Sequence, residues 1–153
     1  MNIYIFDLDD CIFMHNNKKI NYNAIQYNPT LDQLLSLLNG PKYIYTNGTY
    51  DHANEIINNM GILNHFAKIY SRDTLKNMKP DLYSFVEVQI DILSHYPLNN
   101  KFNFFFYDDQ LINLRTANNL GWITFWIHPK HYEKYNYSFI HSSYPTIQEA
   151  LYY

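Results

Sequence analysis

A chain of 153 residues, 47% hydrophobic and 16% charged, is long enough for one packed core and too apolar to be disordered. A formal net charge of −3, with no basic run longer than Lys18-Lys19, disfavours general binding to a nucleic-acid backbone. The one cysteine, Cys11, excludes an internal disulfide, and no stretch approaches the ~20 apolar residues of a membrane span.

The first residues, MNIYIFDLDD, lack the basic start and long apolar run of a signal peptide. The expected compartment is therefore the cytoplasm, or a host cytoplasm for a viral source. No repeat and no Gly/Ser or Pro-rich linker divides the chain, so a single domain over 1–153 is expected.

In chain order, Asn2 to Phe6 reads as a short strand running into acids. Residues 12–29 are polar and irregular, with NNKK as a hairpin tip. Pro29-Thr30 opens a helix whose leucines at 31, 34, 35, 37 and 38 have helical spacing, and Asn39-Gly40-Pro41 stops it. Tyr43 to Tyr45 is a strand that ends in Thr46-Asn47-Gly48. Asp51 to Met60 is a helix closed by Gly61, and Ala67 to Tyr70 is a strand. Pro80 marks the next helix start, with Leu82, Phe85, Val86 and Ile90 as its apolar face. Phe102 to Tyr107 is a very apolar strand, Leu111 to Leu120 a helix closed by Gly121, and Trp122 to Ile127 a buried-type strand. Ser138 to Ile140 is expected as a last strand and Thr146 to Leu151 as a last helix.

This alternation predicts an α/β fold, a three-layer Rossmann-like sandwich with a mainly parallel sheet. Ligands of such sheets bind beyond the carboxyl ends of the strands. The residues there are Asp7 and Asp9, Thr46 and Asn47, and Asp108 and Asp109. Three carboxylates in four positions, at Asp7, Asp9 and Asp10, repel one another unless a cation neutralises them, and an all-oxygen set suits Mg²⁺. Alone, the triplet also reads as a solvated acidic turn. A second acidic pair at the end of another strand, Asp108-Asp109, strengthens the cation reading if the two strands are neighbours. Thr46-Asn47-Gly48 can present a hydroxyl and backbone N–H groups to an anion. Lys79 before Pro80 can place an ammonium beside the same anion, although a lone lysine is ordinarily a surface residue.

Taken in order, DLDDC (7–11), TNG (46–48), KP (79–80) and DD (108–109) resemble the four motifs of the haloacid dehalogenase superfamily, over nearly the whole chain. The stretches YIYTNGTYDHANEIINNMGI, NMKPDLYSFV and FFYDDQLINLRTANNLGW are similar to its pyrimidine 5′-nucleotidase-like branch.

The resemblance implies a Mg²⁺-dependent phosphatase acting on a small phosphorylated substrate, with a nucleoside 5′-monophosphate as a candidate. It implies Asp7 as nucleophile and Asp9 as general acid and base. Thr46, with the Asn47 N–H, would bind the phosphoryl group, and Lys79 would neutralise charge on Asp7 and on that group. Mg²⁺ would lie on the Asp7 carboxylate, the Asp9 carbonyl and Asp108, with Asp109 in support.

Relatives in that branch insert a helical cap between the first two motifs. Here only residues 12–29 are available, enough for a short flap with Asn16, Asn17, Lys18 and Lys19 near the mouth. Either an open site takes a bulky substrate, such as a phosphoprotein or a polynucleotide end, or a second copy of the chain supplies the lid. A non-catalytic binding module is the remaining reading, and the complete acid and lysine set argues against it.

Cys11 is expected to be structural. The seven histidines show no zinc pattern and read as surface or loop residues. Trp122 and Trp126, four apart on a strand, are expected to share one core face.

Overall fold

The protein is described here by a computed structural model covering residues 1–16 and 19–153. Six strands form one sheet: β1 (Asn2–Phe6), β2 (Lys42–Tyr45), β3 (Phe66–Tyr70), β4 (Asn103–Asp108), β5 (Ile123–Ile127) and β6 (Ser142–Tyr144). Their order is β3-β2-β1-β4-β5-β6, and every adjacent pair is parallel. The helices are α1 (Pro29–Ser36), α2 (Tyr50–Asn59), α3 (Leu82–Leu93), α4 (Leu111–Asn119) and α5 (Ile147–Tyr152). Among the described residues, no helix is long and apolar enough to cross a membrane.

Strand alternation sends successive side chains to opposite faces and builds two cores. Tyr4, Phe6, Ile44 and Tyr107 pack beneath α1, α2 and α5, through residues such as Leu31, Leu35, Ile56, Ile57 and Ile147. Ile3, Ile5, Tyr45 and Phe106 pack against α3 and α4 through Phe85, Val88, Ile92 and Leu114. Rings supply much of each layer. Phe6 stacks on Tyr107 at 4.8 Å and Tyr107 on Phe125 at 4.6 Å, while Phe85 meets Trp122 edge-on at 5.4 Å. Trp122 and Trp126 do share the second core.

Local chemistry sets the helix ends. Asn28 caps α1, Thr49 caps α2 and Thr146 caps α5, each accepting from a backbone N–H of the first turn. Gly61, at φ 74°, turns the chain after α2 in the left-handed region that glycine enters without a Cβ clash.

Four expectations need correction. α3 begins at Leu82 behind the cap Asp81, not at Pro80. Its buried face is Ser84, Phe85, Val88 and Ile92, whereas Leu82 and Ile90 are exposed. Ser84 is in the core because its hydroxyl pairs with the buried Tyr45 hydroxyl at 2.5 Å. The last strand is Ser142–Tyr144, not 138–140. Residues 138–140 form a turn whose Phe139 carbonyl accepts from the Thr124 hydroxyl. The fourth concerns the segment between β1 and α1. The NNKK tip lies partly outside the described residues, and the described residues around it form no hairpin strands, only a 3-10 turn at Tyr22–Ala24.

β1 is central: the chain runs outward from it through β2 to β3, then crosses back to β4 on its other side. That is a switch point of the sheet, where side chains beyond neighbouring strand ends can meet without obstruction. Phe6 is in register with Ile44 on β2 and with Tyr107 on β4, so Asp7 emerges level with Asp108, and Thr46 follows one residue further along β2.

Candidate active site

The loop after β1 turns back on itself. The Leu8 carbonyl accepts from Cys11 N and Phe13 N, and Asp10 N donates to the Phe13 carbonyl. Asp10 takes φ 59°, a left-handed conformation that aspartate tolerates better than most residues, and its carboxylate accepts from His15 N. This turn leaves Asp7 and Asp9 at a cavity of about 400 Å³, which Thr46, Asn47, Gly48, Lys79, Asp109 and Asn113 also line.

Lys79 is the electrostatic hub. Its side chain is 1% exposed, and its ammonium donates to Asp7 Oδ1 and Asp108 Oδ2, both at 2.9 Å, and to the Tyr45 carbonyl at 2.8 Å. The rings of Tyr45 and Phe106 lie 4.9 and 5.6 Å from it. Burial would lower its pKa, but attraction to Asp108 and Asp7 outweighs that and raises it, so Lys79 stays charged. Asn47 fixes the lysine backbone from both sides: its Oδ1 accepts from Lys79 N and its Nδ2 donates to the Lys79 carbonyl, each at 2.9 Å.

The two acids after β4 divide. Asp108 is fully buried and does not itself line the cavity. Besides Lys79, it accepts from Gln110 N at 2.7 Å and from the Asn113 amide on both oxygens. Asp109 is half-buried and lines the cavity. Burial raises the Asp7 pKa well above the usual range; Lys79 opposes this and Asp108 adds to it. Burial, then the Asp108 charge, pushes Asp109 up to about 6. Asp7, Asp108 and Asp109 each bring an oxygen within 4.8 Å of the others. An all-carboxylate group of which burial raises two members, Asp7 and Asp109, fits a hard divalent cation such as Mg²⁺.

The Thr46 hydroxyl accepts from Gly48 N at 3.0 Å beside the cavity. Gly48 is small for want of space. A Cβ there would lie 2.9 Å from His52 Cδ2, 3.3 Å from Thr46 Oγ1 and 3.6 Å from Asp9 Oδ2. Cys11 is buried, with its thiol near the Tyr107 carbonyl, and burial followed by the Asp7 charge pushes it up, away from the reactive thiolate.

The structure thus gathers Asp7, Asp9, Thr46, Asn47, Lys79 and Asp109 at one cavity, with Asp108 behind Lys79. Asn16 and Lys19, expected at its mouth, instead line a different cavity of about 520 Å³ bounded by Phe13, Ile25 and Met60. Asn17 and Lys18 lie outside the described residues. Sequence reasoning missed His15 and His52, read as surface residues. Both place Nε2 on Asp9 Oδ1, at 2.6 and 2.9 Å. Only their residue type could have hinted at this, since 37 positions separate them.

No family model matches the chain. No curated protein sequence matches it either. Solved structures do. L-2-haloacid dehalogenase from Xanthobacter autotrophicus superposes with TM-score 0.61 at 17% identity, over 86% of this chain and 62% of that one. YfnB from Bacillus subtilis, assigned as a HAD-hydrolase and bound to magnesium, gives TM-score 0.67 at 19% identity, over 86% and 57%. The core domain of a protein assigned as a phosphoglycolate phosphatase from Streptococcus pneumoniae gives TM-score 0.58 at 20% identity, over 86% and 83%. The chain therefore spans under two thirds of the first two proteins but most of an isolated core domain. Its fold is that of the haloacid dehalogenase-like hydrolases.

Proposed function

We propose that this chain is a magnesium-dependent phosphatase of small phosphomonoesters that works through an aspartyl-phosphate on Asp7. One observation carries the reading. Asp7 is a buried strand-end carboxylate with one oxygen on Lys79, and it shares its cavity with a second acid, Asp9, and a third, Asp109. Magnesium would be held by Asp7, Asp109 and the Asp9 carbonyl, with Asp108 in support through Lys79. When bound it would offset the negative charge of the phosphoryl oxygens and orient them.

Asp7 attacks phosphorus while Asp9 gives a proton to the departing oxygen. Asp9 then takes a proton from water as the water oxygen displaces Asp7. Thr46 and the Asn47 N–H hydrogen-bond the transferring group, and Lys79 limits charge build-up on Asp7. A halide leaves without a proton, so the second acid at the cavity favours phosphoryl transfer over dehalogenation.

Likeness to the nucleotidase-like branch puts nucleoside 5′-monophosphates first among substrates. A second reading has its own support: residues 12–28, as far as described, place no helical bundle over the cavity. A phosphoprotein or polynucleotide end would fit an open mouth, and a second copy of the chain could close it.

The test is hydrolysis of p-nitrophenyl phosphate. Activity is expected with Mg²⁺, none with chelator, and a loss of at least about a thousandfold in Asp7→Asn. Wild-type turnover by that variant would overturn the nucleophile assignment. A panel of nucleoside monophosphates, sugar phosphates and phosphopeptides, with mass in solution, then decides the substrate class.

A further inference from the structure

We propose that His15 and His52 are positioning residues for Asp9, holding its carboxyl so that a single oxygen faces the leaving group. The inference rests on the phosphatase reading above. The two rings come from separate segments, one from the loop after β1 and one from the first turn of α2, and meet on the same atom. His15 Nε2 lies 2.6 Å and His52 Nε2 2.9 Å from Asp9 Oδ1. The rings are nearly parallel, with centroids 6.5 Å apart.

The second oxygen, Oδ2, lies on the Gly48 side of the cavity, 3.6 Å from where a Cβ at Gly48 would stand. Any side chain there would crowd the oxygen that must exchange protons with substrate and water.

The surrounding bonds set the tautomer of His52. The Tyr22 hydroxyl is 2.7 Å from Nδ1. With Tyr22 donating to Nδ1, Nε2 keeps its hydrogen and donates to Asp9, so each polar atom in the chain has a partner. Tyr22 is itself anchored, its carbonyl accepting from the Asn59 amide at 2.9 Å. On the other side the His15 backbone N–H donates to Asp10, and Phe13 packs edge-on against the His15 ring. The separations on Asp9 are those of hydrogen bonds. Ligands of one tetrahedral zinc, each about 2.0–2.1 Å from the ion, would stand about 3.3 Å apart.

The consequence concerns the proton. In the first step the Asp7 O–P bond forms, the bond from phosphorus to the leaving oxygen breaks, and the Asp9 Oδ2 proton moves to that oxygen. An alkoxide needs this proton; p-nitrophenolate leaves nearly as well without it. Loss of the histidine donors lets the carboxyl rotate, and the cost falls on substrates that need a well-placed acid.

The experiment compares kcat/KM on a simple alkyl phosphate with kcat/KM on p-nitrophenyl phosphate, for wild type, His15→Leu, His52→Leu, His52→Gln and Tyr22→Phe. This parameter reports steps up to leaving-group departure. Of the roughly 10²–10⁴-fold a positioned acid contributes, loss of its positioning is expected to lower the alkyl-to-aryl ratio by about 10- to 100-fold in the two leucine variants. Tyr22→Phe should give a smaller drop. Gln can return an N–H to Oδ1, so His52→Gln should recover most of the ratio, a rescue that also guards against misfolding of His52→Leu. Equal losses on both substrates, or a Gln variant no better than Leu, would overturn the proposal while leaving the phosphatase reading intact. A wild-type protein inactive on both substrates would overturn that reading and this inference with it.

Discussion

Replacing Lys79 by Met tests how the site is held together. The ammonium it removes has two carboxylate partners at 2.9 Å and a carbonyl at 2.8 Å, and the side chain is 1% exposed. At an effective dielectric of about 20, each ion pair at that distance is worth roughly 6 kcal/mol of Coulomb attraction, largely offset by the desolvation of the ions. What the substitution exposes is the uncompensated remainder: Asp7 and Asp108 stay buried without a cation, and removing one partner of such a cluster costs about 3–5 kcal/mol. For a chain of this size that is a fall in Tm of roughly 6–20 °C.

The loss must also depend on pH. Asp7 already titrates above its usual range, with Lys79 holding it down, so without the lysine it rises further. The folded variant then binds more protons than its unfolded chain, and its stability falls as pH rises above the ordinary carboxylate range. Urea unfolding followed by circular dichroism at pH 5 and pH 8, without metal, should show the larger deficit at pH 8. A variant within about 1 kcal/mol of wild type at pH 8, or a deficit equal at both pH values, would refute the reasoning.

The acids after β4 should respond in opposite ways. Asp108→Asn is expected to destabilise the metal-free protein, because Lys79 loses a buried partner. Asp109→Asn should leave it unchanged or slightly stabilise it while abolishing Mg²⁺ binding; thermal unfolding and calorimetric titration read the two effects. Because burial pushes Asp109 up to about 6 and also holds Asp7 well above the usual carboxylate range, the metal must displace protons from both, so Mg²⁺ affinity should rise with pH and fall at least about tenfold per unit below pH 6. A pH-independent affinity would remove Asp109 from the ligand set. Gly48→Ala puts a methyl 2.9 Å from His52 Cδ2, and a loss of about 1–3 kcal/mol together with weakened turnover is expected.

Strand-end residues were legible because a parallel sheet exposes one edge and apolar runs mark where each strand stops. Asp7, Thr46 and Asp108 could be placed there before any contact was known. The division between Asp108 and Asp109 was not legible, since it depends on which carboxylate β4 turns inward beneath Lys79 and Asn113. Nor was the α3 face. Spacing favours Leu82, Val86 and Ile90, yet a buried tyrosine hydroxyl needed a partner, and Ser84 supplies it from the other side of the helix. The clamp on Asp9 joins residues whose pairing exists only once the loop after β1 folds back toward α2. The short strand SSY carries only one large side chain, Tyr144, too little to give a period-2 signal, and it pairs with β5 through its backbone and packs Tyr144 on the core.

The same crowding that makes the site expensive to build makes it useful. Four carboxylates at 7, 9, 108 and 109 gather around one lysine that pairs with only two of them, Asp7 and Asp108, and the fold meets the deficit in three ways. It buries Asp108 with hydrogen-bond donors, leaves Asp7 and Asp109 inclined to hold protons, and sets the Nε2 atoms of two imidazoles against Asp9. Only the second is reversible by a ligand. Asp7 and Asp109 are the acids that would hold a divalent cation in place of those protons, and its positive charge would favour the ionised, nucleophilic form of Asp7. A cluster built for stability alone would have no reason to keep its least satisfied acids on the cavity side, and here Asp7 and Asp109 are the ones that line it.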